Sequence, residues 1–110
     1  MRIWHEQLIH LLCQKHLCAC WREGLGAYKI ITENKKGYRN HPAVKEFESN
    51  TFELWKRLNY VRKEMINRGY HPHEMPEVLL ADLTYGKVKE WQTLSEQIAI
   101  LKNKKCKCKV

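Results

Sequence analysis

The stretch NTFELWKRLNYVRKEMINRG, residues 50–69, carries the clearest structural signal in the chain. Leu54, Leu58, Val61 and Met65 step by 4, 3 and 4, which places them on one face of a helix. Asn50 or Thr51 supplies a capping oxygen, and Glu53 follows Asn50 at the spacing of a capping box. Gly69 stands where a helix ends on a left-handed residue. The pattern predicts a helix that turns its apolar stripe toward a core.

Outward from that helix, the same periodicity predicts two more. The first runs from Ile9 to Glu33, with Leu17, Cys20 or Trp21, Tyr28 and Ile31 on its apolar side. Gly24 and Gly26 interrupt it, each weakening a helix by about 1 kcal/mol relative to Ala. They permit a bend or the close approach of another backbone, or they divide the segment into two shorter helices. Asn34 to Ser49 reads as a connection: its KKGYRNHP segment, 35–42, is basic and turn-prone, and Pro42 suits a first helical position. Tyr70 to Pro76 reads as a loop, with a short helical turn opening at Pro76. The last helix is expected over Lys87 to Lys102, from Val88, Trp91, Leu94, Ile98 and Leu101. No segment has the alternation of a strand. The expectation is an all-α fold, a compact single-domain bundle of three main helices over residues 1–101. A basic Lys/Cys tail follows over residues 102–110.

Composition bounds the function. The chain has 110 residues, enough for one domain with a core, and 5 Gly and 3 Pro are too few for a loop-rich or fibrous protein. No apolar run approaches a membrane span, and the start lacks the form of a signal peptide, so a soluble cytoplasmic protein without a membrane partner is expected. The net charge of +8, from 20 Lys+Arg against 12 Asp+Glu, points to a polyanionic partner. Five Lys and no acid fall between Lys102 and Lys109. The 5 Cys are an odd number, and without a secretory signal they read as reduced thiols. Cys18-Ala-Cys20 and Cys106-Lys-Cys108 match zinc spacing poorly, and a helix turns Cys18 and Cys20 to different faces. No metal and no cofactor are expected. His71-Pro-His73 reads as a turn.

On the polar side of the first helix, His16 and Glu23 are seven residues apart, nearly two turns, and project from one face. Arg22 adjoins Glu23. By itself this stripe is an ordinary solvated face. The run Met1-Arg2-Ile3-Trp4-His5, followed by His16-Leu17 and Trp21-Arg22-Glu23, resembles the N-terminal region of the pyrimidine-dimer DNA glycosylases of the endonuclease V type. The similarity continues through Gly37-Tyr38-Arg39-Asn40-His41-Pro42-Ala43-Val44. It resumes from Thr51-Phe52 through Arg62-Lys63-Glu64 to Arg68-Gly69-Tyr70, covering about the first 70 residues in order.

The resemblance implies an endonuclease V-like helical fold and a metal-free enzyme that acts on double-stranded DNA with damaged bases, with no obligatory protein partner. It implies that the free amine of the first residue attacks the sugar C1′ of the damaged nucleotide, forms a Schiff base and cleaves the strand by β-elimination. The essential glutamate corresponds to Glu23, and Arg2, His16 and Arg22 are the implied phosphate contacts. Arg2 is too large for removal of the initiator methionine, so the implied nucleophile is Met1 itself. Chain-terminal amines have pKa values near 7.7–8, so about a tenth is neutral and nucleophilic at pH 7, against less than about a thousandth for a lysine. The apolar Ile3-Trp4 pair is expected to anchor the segment. A second reading is a non-catalytic basic nucleic-acid-binding protein, and a third is a zinc-dependent regulatory module. Met1 and Glu23 separate the first from the second, and metal content tests the third.

Each phosphate contact adds about 0.9 to the slope of log affinity against log salt. Deleting residues 102–110 is therefore expected to flatten that slope, measured by DNA titration at several salt concentrations; an unchanged slope makes the tail a bystander.

Overall fold

A computed structural model describes residues 1–110, and every regular element in it is helical. A short 3-10 helix spans Glu6–Leu11, followed by α1 (Gln14–Thr32), α2 (Pro42–Phe47), α3 (Thr51–Asn67), a 3-10 turn (Leu80–Asp82) and α4 (Leu94–Asn103). The radius of gyration is 13.6 Å, close to the ~13 Å of a packed chain of this length. The three longest elements are α1, α3 and α4, as the periodicity predicts. No helix is long and apolar enough to cross a membrane.

The residues 50–69 fold as the helix expected, but the capping box is only half formed: Glu53 Oε1 pairs with Lys56 at 2.7 Å, and the Asn50 N–H donates to the Phe47 carbonyl. Asn50 caps α3, its Oδ1 accepting the Glu53 N–H at 3.0 Å. Leu54, Leu58, Val61 and Met65 are buried, and Gly69 has φ +85°. Thr51 is the alternative cap, but its hydroxyl does other work. It donates to the Asp82 carbonyl at 2.6 Å and accepts the Thr84 N–H at 2.8 Å, tying residues 82–86 to the head of α3.

The first helix differs from its expected span of Ile9 to Glu33. Leu12 (ψ 140°) and Cys13 (ψ 167°) are extended and divide it. At 100° per residue, a continuous helix would set Leu8, Ile9 and Leu12 about 120° away from the Leu17–Tyr28 face. The two extended residues reset that phase, and both groups are buried. The glycines do not break α1, which runs on through both. Gly24 is a site of close approach: a Cβ there would lie 2.5 Å from Leu58 Cδ2.

The last helix starts seven residues later than its expected start at Lys87. Thr93 caps it in a capping box with Glu96, a Thr-Leu-Ser-Glu signal present in the sequence. Residues 87–93 instead form an irregular strap across α2. There the Lys89 N–H donates to the Glu46 carbonyl at 2.9 Å, and the Trp91 N–H to Glu46 Oε1 at 3.2 Å. The helical turn expected at Pro76 appears at Leu80–Asp82. The tail folds back: the Lys109 N–H donates to the Leu11 carbonyl at 2.8 Å, and Cys108 and Val110 pack on the core.

Two outcomes follow. Gly26 has open space around its Cβ position, so Gly26→Ala should raise stability by about 0.5–1 kcal/mol. Gly24→Ala gains the same propensity but overpacks buried Leu58, at about 1–3 kcal/mol. Thermal unfolding should place Gly24→Ala below and Gly26→Ala above the parent; equal midpoints would show that Leu58 yields freely. Burial raises the Glu46 carboxyl above its usual range, and nearby Glu90 adds to this, against the Trp91 N–H and Arg57. Folded Glu46 thus holds its proton more tightly than unfolded Glu46. Its contribution is full below the ordinary carboxylate pKa and is lost as pH rises through the folded value. Glu46→Gln keeps the acceptor for Trp91 and should remove that decline in a series of melting curves across pH.

Candidate active site

The N-terminal segment has no helical turn, so each of its polar groups needs a tertiary partner. Ile3 and Trp4 are buried, 6% and 3% exposed, as the apolar pair suggests. The Trp4 carbonyl accepts from Arg57 Nη1 at 3.0 Å, and the His5 N–H donates to Gln97 Oε1 at 2.7 Å. The Arg2 N–H donates to Glu23 Oε2 at 2.7 Å. The first peptide bond is therefore held directly over the polar face of α1.

The Arg2 side chain is part of the same anchor. Its guanidinium lies 5.0 Å from the Trp4 ring centroid and 4.7 Å from that of Trp91, and Nη1 donates to Gln92 Oε1. Such cation–π contacts are worth about 0.5–2 kcal/mol each, rising with desolvation. Burial lowers the Arg2 pKa and Glu23 partly restores it; the group stays cationic at neutral pH.

Met1, Arg2, Trp4, His16, Ala19, Glu23 and Lys104 line one cleft of about 280 Å³. Four of the five residues singled out in the sequence thus meet in one place: Met1, Arg2, His16 and Glu23. Arg22 is exposed outside that lining and pairs with no carboxylate. His16 Nδ1 lies 3.2 Å from both Cys13 Sγ and Cys108 Sγ, and its ring meets Trp4 edge-on at 6.1 Å. Burial, then Lys104 and Lys15, hold its pKa below the ordinary histidine value against the pull of Glu23. His16 is therefore uncharged at neutral pH. It can donate a hydrogen bond to a phosphate but adds no charge.

Sequence reasoning missed Trp91, Gln92 and Gln97 as holders of the N-terminal segment, and it read Lys104 only as part of the basic tail, not as a residue that reaches the cleft. The capping box at Thr93 was the available signal that 87–93 is not helical. Nothing local marked Lys104.

The largest cavity, about 470 Å³, lies elsewhere, between the second half of α1 and residues 76–82. Its charged residues are Glu33, Glu77, Asp82 and one cation, Lys29. A wall of that sign repels phosphate. Beside the smaller cleft, Lys15, Lys104, Lys105 and Lys107 surround a neighbouring hollow, and Arg22 is exposed on the same helix as Glu23. The smaller cleft instead combines a carboxylate, the N-terminal segment and a basic rim.

Comparison with curated proteins and with solved structures returns no match. A family model described as pyrimidine dimer DNA glycosylase matches residues 1–77. That span contains α1 to α3 and every cleft residue except Lys104. The chain belongs to the pyrimidine dimer DNA glycosylase family.

Proposed function

We propose that this protein breaks a glycosidic bond of a pyrimidine dimer in double-stranded DNA and then cuts the strand, with the α-amine of Met1 as nucleophile and Glu23 as the carboxylate beside it. The observation that carries this reading is the 2.7 Å hydrogen bond from the Arg2 N–H to Glu23 Oε2, which brings the residue after the nucleophile onto the carboxylate. Glu23 Oε2 is occupied by this bond, while Oε1 accepts no hydrogen bond from the protein and is free for the substrate.

The neutral amine attacks C1′ and the glycosidic C–N bond breaks, its electrons leaving on the base, which takes up a proton. The sugar ring opens to an imine between the Met1 nitrogen and C1′. Loss of a proton from C2′ then expels the 3′ phosphate, and water hydrolyses the imine to regenerate the amine. Glu23 stabilises the cationic sugar and moves the protons. A damaged nucleotide is poorly stacked, so displacing it costs less than the few kcal/mol of a normal base. Arg2 holds the N-terminal segment and adds positive potential to the cleft. His16 offers a neutral donor, and Arg22, with the lysine rim, takes phosphates outside it. The reading as a passive DNA binder explains the basic rim but gives no reason for an N-terminus held on a carboxylate.

Borohydride added during reaction with dimer-containing DNA should trap a covalent adduct, and peptide mapping should place the DNA on Met1. An adduct on a lysine sinks the assignment. Glu23→Gln retains an oxygen for the Arg2 N–H and a similar helix propensity. It should bind DNA as well as the parent or slightly better, yet break the glycosidic bond about 100-fold more slowly or worse. Near-parental cleavage would remove Glu23 from the mechanism. Loss of binding together with activity would make its role structural.

A further inference from the structure

Cys13, His16, Cys106 and Cys108 come from opposite ends of the chain, and their ligating atoms all lie within 4.8 Å of one another. Cys13 is the N-cap of α1, and His16 follows one turn later, on the same face. Cys106 and Cys108 lie just beyond the end of α4, where the chain bends sharply, the Cys106 N–H donating to the Lys104 carbonyl at 2.9 Å. We propose that these four side chains form a Cys3His zinc site that pins the C-terminal segment over the start of α1.

The donor set favours this metal. Three thiols and an imidazole make a soft tetrahedral site, the composition of structural zinc centres. With Zn–S near 2.3 Å and Zn–N near 2.0–2.1 Å, a tetrahedron sets its ligand atoms about 3.6–3.8 Å apart. His16 Nδ1 stands 3.2 Å from Cys13 Sγ and from Cys108 Sγ, so small adjustments open the cluster around an ion. The Cys13 N–H already donates to Cys108 Sγ at 3.1 Å, the kind of outer contact that orients a ligating thiolate. Zinc with three thiolates and neutral histidine carries one net negative charge. Lys15, Lys104, Lys105 and Lys107 line the hollow beside the cluster and offset it. On binding, three thiol protons leave to solvent as three Zn–S bonds form, and the imidazole donates its Nδ1 lone pair.

The sequence pattern C-x-C at both ends conceals the site. Cys18 and Cys20 take no part. Cys20 is buried in the core, away from the cluster. The real first half is Cys13-x-x-His16. The consequence for the neighbouring cleft is direct. Lys104 lines both the cleft and the hollow beside the cluster, and His16 lines both as well. A zinc ion on His16 Nδ1 fixes the ring with Nε2 free, and fixes the segment after α4 that carries Lys104.

The site is tested on the full chain by measurements that do not involve DNA, so its failure is separate from failure of the glycosylase reading. Protein purified under reducing conditions with added zinc and then dialysed should retain one zinc per chain by elemental analysis. Cobalt(II) in place of zinc should give the intense visible bands of a tetrahedral ion and a thiolate-to-metal band in the near ultraviolet. Cys106→Ser and Cys108→Ser should each weaken binding by about 100-fold or more, at least the scale of an outer-contact loss. Cys18→Ser should bind as the parent does. Circular dichroism verifies that each variant is folded, and Cys106→Ser leaves the Cys108 contacts to Cys13 and His16 in place. Absence of retained metal, an octahedral cobalt spectrum, undiminished binding by Cys106→Ser, or a Cys13–Cys108 disulfide in the reduced, metal-treated protein would each overturn the proposal.

Discussion

Ile3 and Trp4 are buried against helices that lie far along the chain, and this burial organises much else. Burying two large apolar side chains gives roughly 1.5–3 kcal/mol apiece. That is enough to order a segment with no secondary structure of its own, provided its peptide groups find partners. They find Glu23 on α1, Arg57 on α3 and Gln97 on α4. One short stretch therefore touches all three main helices. Chain termini usually fray; this one is fastened at residues 2, 4 and 5.

The packing of α1 on α3 sets the other half of the geometry. Gly24 lets Leu58 approach to a distance that no side chain would allow, which fixes the rotation of α1 about its axis. Glu23, one residue and about 100° away, is then directed off the α3 contact and toward the N-terminal segment. The same rotation leaves His16 two turns before Glu23 on the cleft side. A glycine chosen for packing and a glutamate facing the cleft are thus linked by helix geometry alone.

Charge is divided in a way that composition does not reveal. The acids Glu33, Glu77 and Asp82 gather at the largest cavity, while lysines from α1 and from the C-terminal segment meet beside the smaller cleft. The basic rim lies beside Glu23 and Met1. Arg2 is used internally, stacked between Trp4 and Trp91, so its cation works at short range within the cleft rather than as a free surface contact.

By itself the sequence determined the all-helical class and α3 with its cap and its terminal glycine, and it singled out Met1, Arg2, His16 and Glu23, which the fold brings to one cleft. Helical periodicity and capping are local, and the N-terminal motifs lie within 23 residues of one another, so one short window contains them. Only the tertiary structure decided that Ile9 to Glu33 breaks at Leu12 and Cys13, because the break corrects the phase of two apolar faces that must meet one core. The Thr93 capping box marks where α4 begins, but only the tertiary structure showed that 87–93 straps across α2, because Val88 and Trp91 repeat at helical spacing while the Lys89 and Trp91 N–H groups bond to Glu46. Lys104 beside Met1, and Cys106 and Cys108 beside Cys13 and His16, depend on the chain returning over some 90 residues. Local patterns carry no record of that return, because irregular segments have no period from which their direction can be read.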